Sequence, residues 1–249
     1  MSAWQIVAIF GAGIAAGAIN TLVGSGTLIT FPALLAFGYA PVVANVSNTI
    51  GLVPGSVAGA FGYRRELAGQ RRRAIPLAIA SALGGTIGAV LLLSLPASAF
   101  KSIVPVFIAV ALVLILLQPR LAAVLGHRRR RHGERVGPAA TGGVLLSGVY
   151  GGYFGAAQGI MLLSILGLAV DDSLQRINSL KVVLAGLVNL IAGLIFIVVA
   201  HVAWGAAGLI AAGSILGGLV AGRYGRQLSP VVLRCLIVIV GVLAIVRLL

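Results

Sequence analysis

Only four carboxylates occur in this 249-residue chain, Glu66, Glu134, Asp171 and Asp172, and all four fall between apolar stretches. No set of nucleophile, base and acid can be assembled from them, so an enzymatic activity is not expected. A single cysteine, Cys235, excludes an intramolecular disulfide. The three histidines have no cysteine or carboxylate cluster beside them, which leaves no metal-binding spacing. Gly24-Ser25-Gly26 lacks the strand and helix context that a phosphate-binding glycine loop requires. No metal or cofactor is therefore expected. Charge itself is scarce, at 9% of residues, against about 25% in an ordinary soluble domain. A surface so poor in charge cannot face water over its whole extent.

What the chain does have is apolar length. Hydrophobic residues make up 60% of it, and the mean hydropathy is +1.13. Lipid must replace water as the outer solvent, and there only helices and closed barrels satisfy every backbone hydrogen bond. The apolar runs are long and do not alternate, which selects helices. Glycine is abundant, with 35 residues; in lipid, small residues let helices approach closely enough for packing to hold them together. The net charge of +14 is concentrated in short loops. Arginine clusters between apolar spans mark the cytoplasmic side of a membrane protein, so no nucleic-acid partner is expected.

Eight apolar blocks can be read, at about 3–37, 42–62, 74–95, 99–118, 138–168, 177–200, 203–222 and 230–248. Six have the roughly 20-residue length of one spanning helix. The first and fifth are longer and are interrupted, by Asn20 to Gly26 and by Gly151 to Gly159. Glycine weakens a helix interior, so each long block is predicted to form two short helices meeting within the membrane. The pattern occurs twice: residues 1–118 form a first transmembrane repeat, 119–137 a basic cytoplasmic linker, and 138–249 a second repeat. In both halves the next helix opens on polar residues, Asn45-Val46-Ser47-Asn48-Thr49 and Asn178-Ser179-Leu180-Lys181. If each broken block enters and leaves on one side, the halves are inverted. Arg64 to Arg73, the linker arginines, Arg176, Arg223 and Arg226 then all face the cytoplasm, where basic loops meet anionic lipid head groups. The expected fold is an all-α integral membrane protein of two inverted repeats, each a broken helix block followed by three transmembrane helices.

Transporters built from inverted repeats bind substrate at the repeat interface near the midplane. The candidate residues are Asn20, Thr21, Gly24, Ser25 and Gly26 at the first break, Asn45 and Asn48 after it, Gln158 and Gly159 at the second break, and Asn178 and Lys181 after that. Any single Ser, Thr or Asn can serve simply as an interhelical hydrogen-bond partner. Clustering at matching places in both halves is what points to a site. A broken helix exposes N–H groups at the start of its second half, and these, with the helix dipole, favour an anion. Glycine lets a small oxyanion approach the backbone. Lys181 either adds a full positive charge there or extends to the cytoplasmic interface.

In these residues the chain resembles the TauE/SafE family of sulfite and organosulfur exporters. The likeness lies in Gly13-Ile14-Ala15-Ala16-Gly17 leading to Val23-Gly24-Ser25-Gly26 and Phe31-Pro32-Ala33-Leu34-Leu35, in Ala44 to Thr49, and in the second copy, Gly148 to Gly159 followed by Asn178 to Lys181. The resemblance implies export across the bacterial cytoplasmic (inner) membrane of a small sulfur-containing anion: sulfite, thiosulfate, sulfoacetate or a related sulfonate. An anion channel or an uptake permease for sulfonates is the alternative, and a non-transporting membrane subunit a further one. No Asp or Glu lies inside a span and His201 falls at an outer edge, which favours potential-driven flux over a protein-borne proton relay. The oligomeric state is left open, a homodimer among the options.

Overall fold

The computed structural model describes residues 1–127 and 136–224, together with 238, 239 and 242. Most of the expected last span, residues 128–135 of the basic linker, Arg226 and Cys235 lie outside these residues; the part of the expected linker at 119–127 is not a loop but the continuation of a helix. Among the described residues the regular elements are helices: α1 (Ala3–Leu22), α2 (Thr27–Ala36), α3 (Pro41–Gly62), α4 (Arg64–Leu67), α5 (Arg71–Ser94), α6 (Ala97–His127), α7 (Pro138–Tyr153), α8 (Gln158–Ala169), α9 (Leu174–Val199) and α10 (Trp204–Tyr224). Five of them, α1, α5, α6, α9 and α10, are long and apolar enough to cross a membrane. Helix α3 has the length, but Asn45, Ser47, Asn48 and Thr49 lie in its first turns, all buried.

Both long apolar blocks are interrupted, but later than their polar residues suggest. Helix α1 continues through Asn20 and Thr21, which the sequence places in the break. Thr21 Oγ1 donates back to the Gly17 carbonyl at 2.9 Å, and Asn20 Nδ2 donates to Ser56 Oγ of α3 at 3.2 Å. Their side chains are thus satisfied without ending the helix. Likewise α7 runs through Gly151 and Gly152, because glycine there is a contact surface: a side chain at Gly152 would meet the Gly85 carbonyl of α5. The two helices then end in the same way. Val23 and Gly24 N–H groups both donate to the Ile19 carbonyl, at 2.7 and 2.9 Å; Phe154 and Gly155 both donate to Tyr150, at 2.9 and 3.0 Å. Gly24 and Gly155 close these caps at φ +85° and +78°, the left-handed conformation that ends many helices. After the first break the chain doubles back, bringing Gly26 against the Ala16 carbonyl and the Asn20 side chain.

Small residues set the helix packing. Gly13 and Gly17 of α1, and Gly51 and Gly55 of α3, lie in the same order against Ile210 and Ser214 of α10. These three helices run side by side in one direction. Gly84 and Gly88 of α5 lie against Leu145 and Val149 of α7, and Ser81 Oγ donates to the Leu184 carbonyl of α9 at 3.1 Å. Helices α5, α7 and α9 therefore form a second parallel group. Where the groups meet, Ser56 lies near Gly186 while Ile50 lies near Gly193, so the residue order reverses and the groups run in opposite directions. Outward faces are apolar, as at Val198, which is 83% exposed; such a surface suits lipid and not water.

A polar tie closes one end of this junction. The buried Gln70 side chain places Nε2 3.1 Å from both the Arg176 carbonyl and Ser179 Oγ. Asp172 accepts from Arg73 and, at 2.9 Å, from Arg176 Nε. Arg176 and the Arg71 to Arg73 turn therefore share one face. Burial alone would raise the Asp172 carboxyl, but hydrogen bonds from Arg73, Arg176 and the Ser173 N–H outweigh it and hold the carboxyl below the usual carboxylate range.

Two outcomes follow for stability. A side chain at Gly17 would meet the backbone of Ser214, so Gly17→Leu is expected to destabilise by at least the ~1–3 kcal/mol of an overpacked core, read as a lower Tm in detergent. A carboxyl with a depressed folded pKa contributes stability above its unfolded value and loses it as pH falls through the folded one. The Tm gap between the wild type and Asp172→Asn is therefore expected to hold above pH about 5 and to shrink below pH about 4; a gap independent of pH down to full protonation would refute this role.

Candidate functional site

The two breaks touch. The Gly159 N–H donates to the Gly24 carbonyl at 3.0 Å, and a Cβ on either glycine would overlap the Cα of the other. Gly24 needs glycine twice over, for this approach and for its positive φ. Helix α2 begins at Thr27 with Gly26 as its N-cap, and α8 begins at Gln158 with Ala157 as its N-cap; neither end carries a side-chain cap. Two helix N-termini without side-chain caps, each with partial positive charge, thus start within three residues of one backbone contact, and the Gly159 N–H of α8 is itself spent on that contact.

The polar helix starts beside the breaks reach across to the opposite one. Asn45 of α3 donates from Nδ2 to the Tyr153 carbonyl at the end of α7, at 3.0 Å. Asn178 of α9 donates from Nδ2 to the Thr21 carbonyl near the end of α1, at 3.2 Å. The arrangement is reciprocal. Lys181, one turn beyond Asn178, is fully buried. Its Nζ donates to the Asn20 and Thr21 carbonyls, both at 3.0 Å. The amine therefore does not extend to the interface; it binds the negative end of α1 inside the protein. Among the described residues no carboxylate pairs with it, and carbonyl dipoles are its protein partners.

The remaining candidates divide into engaged and open groups. Asn48, which holds the place in α3 that Lys181 holds in α9, is fully used: Nδ2 donates to Thr27 Oγ1 at 3.1 Å, and Oδ1 accepts from Thr30 Oγ1. Asn20 and Thr21 enter the crossing through their backbone carbonyls, their side chains being spent on α3 and α1. By contrast Ser25 Oγ, Gln158 Nε2, Tyr153 Oη, Asn45 Oδ1 and Asn178 Oδ1 are buried and find no partner among the described residues. A buried polar atom left unpaired costs about 1–3 kcal/mol, so these atoms are candidates for ligand contact; Ser147 Oγ and Tyr150 Oη are likewise buried without a partner among the described residues. Of the five candidates, three are donors and two are acceptors. The amide hydrogens of Asn45 and Asn178, which the sequence aims at oxyanion oxygens, point instead at helix-end carbonyls. Thr30 and Tyr153 are absent from the candidates read in the sequence. A tyrosine inside a glycine-rich break was the available signal for Tyr153; for Thr30 the only signal is its one-turn spacing from Thr27. Phe31, Phe100, Phe107 and Phe154 pack beside the second break, with Phe31 and Phe154 centroids 5.2 Å apart, and wall this region with apolar surface.

Comparison with known proteins finds relatives among membrane transporters. The sequence profile described as "Sulfite exporter TauE/SafE" matches residues 9–248. A Sinorhizobium protein named "Probable membrane transporter protein ORF9" is 30% identical over 97% of this chain and 91% of its own. "Probable membrane transporter protein YfcA" of Escherichia coli K12 is 27% identical over 94% and 86%. A Haemophilus influenzae "Probable membrane transporter protein" is 27% identical over 94% and 90%. No solved structure matches the chain.

The crossing carries its own test. Gly24→Ala and Gly159→Ala are both expected to lower Tm and abolish any ligand-induced stabilisation, since neither can avoid backbone overlap. Gly38→Ala is the control: Gly38 also sits at φ +85° but has open space around it, so only the conformational cost of about 1 kcal/mol applies. Equal losses at Gly24, Gly159 and Gly38 would mean that the contact between the breaks contributes nothing.

Proposed function

Because the chain belongs to the TauE/SafE family, we propose that it moves a small sulfur-containing oxyanion, such as sulfite, thiosulfate, sulfoacetate or a related sulfonate, out of the cell across the bacterial cytoplasmic membrane. The observation that carries the reading is the meeting, beside the Gly24–Gly159 contact, of the starts of α2 and α8, neither with a side-chain cap, with the fully buried amine of Lys181 next to them. A buried charge without a counterion is costly. An anion entering the crossing relieves that cost and meets Ser25 Oγ, Gln158 Nε2 and Tyr153 Oη as donors. Asn45 Oδ1 and Asn178 Oδ1 ask in addition for a hydrogen-bond donor on the ligand. A singly protonated oxyanion, of which hydrogensulfite is the simplest, offers both.

The halves 1–118 and 138–249 are proposed to be inverted repeats that rock about this crossing to expose it to each side in turn. Support comes from the opposed directions of α1, α3 and α10 against α5, α7 and α9, from the matched caps at Ile19 and Tyr150, and from the reciprocal Asn45 and Asn178 bonds. The basic turn at Arg64 to Arg73 is placed at the cytoplasm on the positive-inside rule. No carboxylate sits in a described span, so the motive force is taken to be the membrane potential, about 2.3 kcal/mol per charge per 100 mV.

Proteoliposomes loaded with sulfite provide the test. An imposed potential is expected to drive flux, counterflow exchange is expected as for a carrier and not a pore, and Lys181→Gln should cut the rate at least about tenfold, the scale of one charge-assisted hydrogen bond. Full flux in a folded Lys181→Gln protein, or flux indifferent to the potential and driven only by pH, refutes the assignment.

A further inference from the structure

A second concentration of positive charge lies apart from the crossing. On the face that carries the α4–α5 turn, a pocket of about 580 Å³ opens between the first turn of α5 and the turn before α9. Gly69, Arg71, Arg72, Arg73, Asp172 and Arg176 line it. Among the described residues that line it, Asp172 is the carboxylate these arginines face. That carboxylate is already committed to Arg73 and Arg176.

Helix physics makes the arrangement more unusual. Three of the arginines open α5, whose first turn contains no acidic residue and whose N-cap, Gln70, makes no capping bond. A helix N-terminus carries partial positive charge and disfavours cations. Side-chain cations stacked on it repel both the helix end and one another. The walls are partly withdrawn from solvent: the Arg73 and Asp172 side chains are 14% and 19% exposed, so screening at the base of the pocket is reduced. Arg71 is exposed at its mouth. A concave surface of one sign gathers counter-ions, and guanidinium forks match the paired oxygens of a tetrahedral oxyanion.

We propose that this pocket is an oxyanion site distinct from the crossing of the breaks, taking a phosphate-type tetrahedral group. The group is supplied either by the phosphodiester of an anionic lipid head group, which basic turns at a membrane surface attract, or by a free anion in solution. Occupancy places negative charge where the α5 N-terminus and its arginines require it. It also joins α5 to α9 at the end of the molecule that Gln70 and Asp172 already tie.

The experiment uses the purified full chain. In one arm, protein in uncharged detergent is titrated with inorganic phosphate at ionic strength held constant with chloride, and Tm is followed; a bound ligand raises Tm by mass action. In the other, nanodiscs of phosphatidylcholine are compared with nanodiscs containing phosphatidylglycerol. A saturable rise in Tm is expected in at least one arm. Arg71→Gln should weaken the apparent affinity about tenfold, and Arg71→Glu should weaken it further. Arg71 is exposed, so both variants are expected to fold. A response to phosphate assigns a free anion, and a response to phosphatidylglycerol alone assigns a head group. A chloride effect equal to that of phosphate together with no phosphatidylglycerol effect overturns the site, as does a response in either arm that both Arg71 variants leave unchanged.

Discussion

One backbone hydrogen bond, from the Gly159 N–H to the Gly24 carbonyl, fixes how closely the two halves of this protein approach. It forms only because neither residue has a Cβ, and it brings both interrupted helices to a single point. Much of the polar interior is arranged around it. Asn45 and Asn178 hold the ends of α7 and α1 in place, and Lys181 neutralises the carbonyls that the end of α1 leaves open. Without that approach, the helix ends would be unsatisfied backbone inside a hydrocarbon layer, which no membrane protein sustains.

The same contact explains why the interior is rich in small residues. Little hydrophobic pressure acts between helices in lipid, so adhesion depends on close packing. The glycine rows on α1, α3, α5 and α7 let backbones meet, and the resulting bundle holds seven buried polar atoms without a partner among the described residues. Five of them lie at the two breaks and the helix starts beside them; Ser147 Oγ and Tyr150 Oη lie along α7. Away from the crossing, buried hydroxyls such as Ser56 and Ser214 bond to carbonyls one turn away or on the neighbouring helix, the ordinary way to bury a hydroxyl in a helical bundle.

Charge follows a parallel division. The buried Lys181 is matched by carbonyl dipoles, and the arginines are kept at the surface, where Asp172 is the carboxylate seen bridging two of them. A protein with so few acids leaves many of its cations to be balanced from outside the chain. At the crossing that role is the one proposed for a transported anion, and at the α5 turn the one proposed for an oxyanion in the arginine pocket.

The placement of the described helices was largely legible in the sequence, because a membrane span is a simple demand for length and apolarity; α4, and the run of α6 through 119–127, were not. The two interruptions were legible as well, since clustered glycine and polar residues have few other uses in such a span. Their limits were not: Asn20, Thr21, Gly151 and Gly152 read as breakers, yet each is accommodated within a helix through bonds or contacts to α1, α3, α5 or α8 that only packing supplies. The candidate list captured Ser25, Asn45, Gln158, Asn178 and Lys181 by residue type and repetition. It could not say which atom of an asparagine would face inward, or that Asn48 would be consumed by Thr27 and Thr30. By itself the sequence determined a helical membrane protein with two interruptions and a polar set near each, because hydropathy and glycine content act locally along the chain. Only the tertiary structure decided that the interruptions touch and which polar atoms stay open, because those depend on residues more than 100 positions apart meeting within hydrogen-bond distance.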